Sequence, residues 1–207
     1  MGKPDQSLPV KADAIVRTAV IEAVARWAST SDVQPHIRQV LFDVTKVVAT
    51  DGHRLVEVPC PEVIRRFGVE RAHLLTAVAA QRALPGPLRS DLEFRLIGET
   101  VHIRIASKVD LVVPSANAAD FPPYETVLKV TPSATSPTGY IFDANYLAAI
   151  EEVDDATCGK RGGLEVLGWG DDKTSAMIFK NSVGCRFAVM PMRRLLSQED
   201  RSPTGKG

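Results

Sequence analysis

The feature that most constrains the fold is a pattern that recurs three times along the chain: an amphipathic helical stretch followed by three short strand-like segments. A helix with one apolar stripe and strands with one apolar face must bury those surfaces against one another, so repeated units of this kind predict an α+β fold. In the first unit Ile15, Ala19, Ala23 and Trp27 recur at steps of four, with Val16, Val20, Val24 and Ala28 beside them. Arg17, Glu22 and Arg26 fall off that stripe. The spacing predicts a helix that opens at an Asp13 N-cap and ends in Ser29-Thr30-Ser31-Asp32. Strands are expected near 37–44, 46–50 and 53–58, and Pro59-Cys60-Pro61 closes the unit. Asp51-Gly52, between two apolar runs, reads as a tight two-residue hairpin turn in which glycine takes the positive φ.

The second unit repeats the order. Its helix spans 70–84 with Leu74, Leu75 and Val78 as the apolar face, and Pro85-Gly86-Pro87 stops it. Strands follow at 92–97, 101–106 and 111–113, the first two joined at Gly98-Glu99. Residues 114–139, rich in proline, serine, threonine and alanine, read as a connector across a surface. The third unit begins at Tyr140, and Phe142-Asp143 leads into a helix with Tyr146, Leu147, Ile150 and Val153 inward. After a break at 159–163, strands are expected at 164–168, 175–180 and 186–190, and a short strand is expected to lead each of the three helices. Residues 1–10 read as a flexible lead and 196–207 as a disordered tail.

Composition excludes several classes of function. With 44% hydrophobic and 24% charged residues over 207 positions, the chain has the makeup of an ordinary globular protein with room for one or two domains. Lysine plus arginine equals aspartate plus glutamate at 25 each, so net charge argues for neither a nucleic-acid nor an acidic-membrane partner, and only local patches remain to be considered. No apolar run approaches the roughly 20 residues of a spanning helix, and the first residues lack a signal-peptide core, which predicts a cytoplasmic protein. Cys60, Cys158 and Cys185, odd in number and widely spaced, fit reduced thiols better than a disulfide framework or a zinc site. His36, His53, His73 and His102 show no metal spacing, and no nucleophile motif or phosphate loop is present. Asp51 with His53 makes an imaginable acid-base pair that a hairpin turn explains more simply. No enzyme and no cofactor is therefore expected.

Three stretches, in order, carry a resemblance. They are Ala49-Thr50-Asp51-Gly52-His53-Arg54-Leu55, then Phe121-Pro122-Pro123-Tyr124-Glu125-Thr126-Val127-Leu128, then Ala188-Val189-Met190-Pro191-Met192-Arg193. Together they resemble the bacterial DNA sliding clamp, the β subunit of DNA polymerase III: the hairpin of its middle domain, the linker into its last domain, and its terminal Met-Pro-Met-Arg. The resemblance implies a DNA-clamp fold built from three helix-plus-strands half-units. It makes 11–128 a complete clamp-like domain and 129–195 a linker with half a clamp-like domain; the clamp's first domain and the first half of its last have no counterpart.

It also implies a pocket for short client peptides of the glutamine-leucine-x-leucine-phenylalanine type. By position, Ile37, Thr50, Gly52, His53, Arg54 and Leu55 form its hairpin side and Pro122 and Val127 its linker side. Asp143 and Tyr146 come from the last helix, and Ala188, Met190, Pro191, Met192 and Arg193 from the C-terminal side. Methionines suit such a receptor because they mould to aliphatic and aromatic anchors. Taken singly, Leu55, Val127, Met190 and Met192 fit a core and His53 fits a turn; the pocket reading rests on their joint occurrence. Thr126 stands where the family's linker often has a basic residue.

Clamps hold duplex DNA with lysines and arginines on their helices, a salt-sensitive interaction. By the same resemblance Arg17, Arg26, Arg71 and Arg82 are candidates to face DNA, although pairing with Glu22 or Glu70 accounts for them equally well. The third helix offers Glu151, Glu152, Asp154 and Asp155, which repel DNA. Two functions follow. One is a sliding-clamp-like scaffold of DNA replication or repair that binds peptide motifs of polymerases and related factors, as an oligomer encircling DNA. The other is a non-ring adaptor or competitor for the same peptides. A homo-oligomer is expected, because an odd number of half-units leaves the third without its partner. A family ring contains twelve half-units, which four such chains supply.

Overall fold

The computed structural model describes residues 11–85, 91–106, 109–129, 141–159, 162–169 and 175–192. The first unit contains β1 (Ala14–Val16), α1 (Thr18–Ala25), a 3-10 turn at Pro35–Ile37, and the meander β2 (Gln39–Asp43), β3 (Lys46–Thr50) and β4 (Arg54–Pro59). The second contains β5 (Phe67–Glu70), α2 (Arg71–Ala83), and the meander β6 (Leu92–Ile97), β7 (Thr100–Ile105) and β8 (Val109–Pro114). A 3-10 turn at Ala118–Asp120 and the short α3 (Tyr124–Val127) occupy the linker. The third unit contains α4 (Ala144–Cys158), β9 (Glu165–Trp169), β10 (Met177–Lys180) and β11 (Arg186–Val189).

The first two units are interleaved. β1 leads α1 but pairs antiparallel with β6, while β5 leads α2 but pairs antiparallel with β2. Each unit thus lends a strand to the other's sheet. One sheet runs β1-β6-β7-β8 and the other β5-β2-β3-β4-β11-β10-β9, so the third unit joins through the β4–β11 pair. α1 packs against both α2 and α4.

Residues of β2 are buried on both faces, as a strand covered on both sides requires: Val40 and Phe42 point into the main core and Leu41 into a second, outer cluster. The main core holds Trp27, Phe42, Phe67, Phe94 and Phe187, with Phe42 stacked on Phe67 at 4.5 Å between centroids. In the outer cluster Leu41, Val48, Leu55, Ile178 and Ala188 lie beneath Phe121, Tyr124 and Leu128 of the linker. Tyr124 anchors the linker by donating its hydroxyl to Asp43 (2.9 Å). Burial, with that carboxylate alongside, pushes its phenol up to about 12.

Several expectations are corrected. The first helix does not open at Asp13: residues 14–16 are a strand, Arg17 is the N-cap, and Asp13 instead binds β6, its carboxylate accepting from the Leu96 N–H (2.7 Å). Ile15 is 41% exposed, off the inward row, because β-branched Ile15 and Val16 serve an edge strand whose faces alternate. The hairpin turn spans three residues, 51–53, rather than two. Leu147 is 40% exposed rather than inward, since α4 packs through Tyr146, Ala149, Ile150, Val153 and Ala156. The stretch 141–143 before α4 is not in a strand; the Ile141 carbonyl accepts from Met192 instead. β11 stops at Val189, one residue early. The expectations for 1–10 and for 196–207 fall outside the described residues. Among the described residues no helix is long and apolar enough to cross a membrane.

Candidate functional site

The β3–β4 turn is fixed by its own polar side chains. Gly52 has φ +91, a conformation that favours glycine. Asp51 accepts from the His53 and Arg54 N–H groups (2.9 and 3.0 Å), and the Gly52 N–H donates to Thr50 Oγ1 (3.1 Å). Thr50 in turn donates to the Arg54 carbonyl (2.7 Å). Below the turn, buried Ile37 places its Cδ1 3.7 Å from where a Cβ on Gly52 would sit.

Arg54 is a post rather than a free contact. Its guanidinium lies 4.9 Å from the Trp27 ring centroid and 5.2 Å from that of Tyr146, binds Asp51 through Nε (2.9 Å) and donates to the Arg26 carbonyl (3.0 Å). His53 stays exposed, nearly parallel to Tyr146 with centroids 6.4 Å apart. Burial, and then Asp51 and Asp143, hold the Tyr146 phenol above its ordinary range. Asp143 caps α4 by accepting from the Asn145 N–H (2.8 Å).

The C-terminal stretch is stitched to this hairpin. Leu55 sits opposite Ala188 across β4–β11, and beyond the strand the Met190 N–H donates to the His53 carbonyl (2.8 Å). Met192 then donates to the Ile141 carbonyl (2.7 Å), which carries the chain past the start of α4. Met190 packs on the outer cluster that Leu55 and Ala188 share with the linker. Pro122 is half-buried on that linker and Val127 is exposed.

The structure therefore brings the hairpin, the N-terminal end of α4, the linker and residues 188–192 to one region. Gly52, His53, Met192 and Val127 are exposed, Arg54, Asp143, Met190, Pro191, Pro122 and Tyr146 are partly buried, and Leu55, Ala188, Ile37 and Thr50 are buried supports. Arg193 lies outside the described residues. Sequence reasoning missed Trp27 and Gln34 here: Trp27 backs Arg54, and Gln34 Oε1 is 3.8 Å from a Cβ at Gly52. It also missed Leu41 and Val48, whose apolar character at strand positions facing away from the core was the available signal.

The four helix arginines are placed differently. Arg26 pairs with Glu22 (2.9 Å) and Glu152 (3.3 Å), and Arg82 also pairs with Glu22. Arg17 donates to the Thr157 carbonyl (2.9 Å), and Arg71 is partly buried with no hydrogen bond at Nε among the described residues. Buried Asp154 does not face solvent: it accepts from Cys158 Sγ (3.1 Å), the Gly162 N–H (2.7 Å) and Asn181 Nδ2 (2.9 Å).

Comparison with solved structures identifies the architecture. The chain is similar to the β sliding clamp of C. crescentus, crystallised with PEG at a proposed beta-motif tethering region, with 19% identity and a TM-score of 0.62 over 93% of this chain and 68% of that one. It is similar to the DNA polymerase III β subunit of Thermotoga maritima (15%, TM-score 0.63, 93% and 70%). It is also similar to the sliding clamp of Bartonella birtlesii bound to griselimycin (14%, TM-score 0.59, 91% and 68%). No protein-family model matches the sequence, and no curated protein matches it. The chain has the sliding-clamp fold, the fold that the three sequence stretches imply.

Proposed function

We propose that this chain is a sliding-clamp-like scaffold of DNA replication or repair that captures clamp-binding peptides of polymerases and related factors. The observation that carries the reading is the locking of the 51–53 turn to Met190 through the His53 carbonyl, with Met190 packed on the cluster that the linker covers. A preformed apolar surface with adaptable methionines suits an extended peptide with aliphatic and aromatic anchors. The ordering cost of binding is small when the receptor is already held in shape.

The test is titration of a fluorescently labelled glutamine-leucine-x-leucine-phenylalanine peptide, read by polarisation. Met190→Ala is expected to weaken binding by roughly 1 to 3 kcal/mol, the range for truncating an anchor contact. Absence of binding both by the whole chain and by a version ending at Leu195 overturns the reading. Griselimycin, held by the Bartonella clamp, serves as a competitor in the same titration.

The wider reading is an oligomer that encircles duplex DNA. The second reading, an adaptor or competitor that takes peptides without a ring, draws on the ion pairs of Arg26 and Arg82, which neutralise two of the four candidate arginines. Retention on DNA-cellulose at low salt separates the two.

A further inference from the structure

Gln39 and Leu41 lie two residues apart on β2, so their side chains share the outer face of the seven-stranded sheet. Leu41 sits under the linker beside Leu55, whereas Gln39 floors a groove of about 620 Å³. Pro35 and His36 form one rim; Ala116, Asn117 and Asp120 form the other. The groove is a built feature. Gln39 is 2% exposed, and its Nε2 donates to both rims, to the His36 carbonyl (3.1 Å) and the Asn117 carbonyl (3.1 Å). Its buried Oε1 has no hydrogen-bond partner among the described residues and lies 1.9 Å from where a Cβ at position 68 would fall, so a side chain in place of Gly68 would displace the Gln39 amide.

Both rims run on into the peptide surface. His36 adjoins Ile37, which underlies the Gly52 turn, and Asp120 adjoins Phe121 and Pro122 of the linker. Asp120 is exposed and makes no ion pair among the described residues. Among the described residues it is the only acidic one lining the groove, and no lysine or arginine lines it.

We propose that this groove receives the residues flanking the anchor motif of a client peptide, and that Asp120 selects a lysine or arginine there. The inference rests on the peptide-binding reading above, and its test is arranged so that each can fail alone. Affinities of the core peptide are compared with those of versions extended by a short lysine-containing or glutamate-containing segment, at either end, at low and at high salt. A lysine extension at one end is expected to tighten binding about threefold at low salt, in keeping with an exposed ion pair, with the gain lost at high salt. Asp120→Asn abolishes the gain and leaves the core peptide unchanged; Asp120→Lys transfers the preference to the glutamate extension. Core binding with no charge preference at either end, or a preference indifferent to Asp120, overturns the groove assignment alone. Failure of the core peptide to bind overturns the functional reading and the groove with it.

Discussion

Arg54 shows how one residue can be placed correctly near a site and yet serve it indirectly. The hairpin motif offers its guanidinium to a ligand, but two aromatic faces, a carboxylate and a carbonyl already surround it. Asp51 lies three residues away in the same hairpin, but Trp27, Tyr146 and Arg26 are distant positions that no local pattern joins. Lysine keeps the charge but loses the planar fork and the stacking, so Arg54→Lys is expected to lower stability by about 1 to 2 kcal/mol, measured by urea unfolding. Asp154 makes a second argument at this scale. Burial alone raises a carboxyl, but donation from Cys158, the Gly162 N–H and Asn181 outweighs it and holds Asp154 below its ordinary range. A depressed folded-state value means that its stabilisation is present above the unfolded pKa of about 3.9 and is lost as pH falls through the folded one. Urea midpoints should therefore drop below about pH 4, and the drop should be smaller in Asp154→Asn, which starts less stable at neutral pH.

At the scale of elements, β3, β6 and most of α2 were legible because their periodicities are clean and their ends carry turn or proline signals. The start of α1 was not. Ile15 and Val16 fit a helical row by spacing alone, and only their pairing with Glu93 and Leu92 of β6 shows them as strand. The register of an edge strand is set by its partner, which lies outside any local window. The pairing among helices was equally hidden. Glu22 of α1 sits between Arg26 and Arg82, and Arg26 reaches Glu152 of α4, so one chain of ion pairs ties three helices together. Glu22 is the shared counterion, and Glu22→Gln is expected to release positive charge on that face. The variant should bind duplex DNA more tightly than the parent at low salt, with a steeper loss as salt rises. Equal salt slopes for the two proteins would show that the released arginines do not reach phosphate.

At the scale of the whole molecule, the three-fold repetition was readable in the sequence, but the reciprocal exchange of β1 and β5 was not, since either unit could have kept its own strand. That exchange is how the first two units cover one another, and the third has no equivalent among the described residues. β9 pairs on one edge with β10 and forms the end of the seven-stranded sheet, while Leu147, Leu164 and Val166 stand exposed in the same unit. An edge left open among the described residues, beside exposed aliphatic side chains, favours association, and we propose a second copy of the chain as its occupant. Light scattering over a range of concentrations should give the mass of more than one chain. Val166→Lys, which sets a charge beside the open edge, should lower that mass while leaving peptide affinity unchanged, because the proposed peptide surface is at the β4–β11 junction, two strands away. A closed assembly that survives dilution keeps the encircling reading alive and makes the Glu22→Gln titration its next test. A monomer at every concentration removes the ring and leaves a peptide-binding adaptor, whose client competition then becomes the activity to measure.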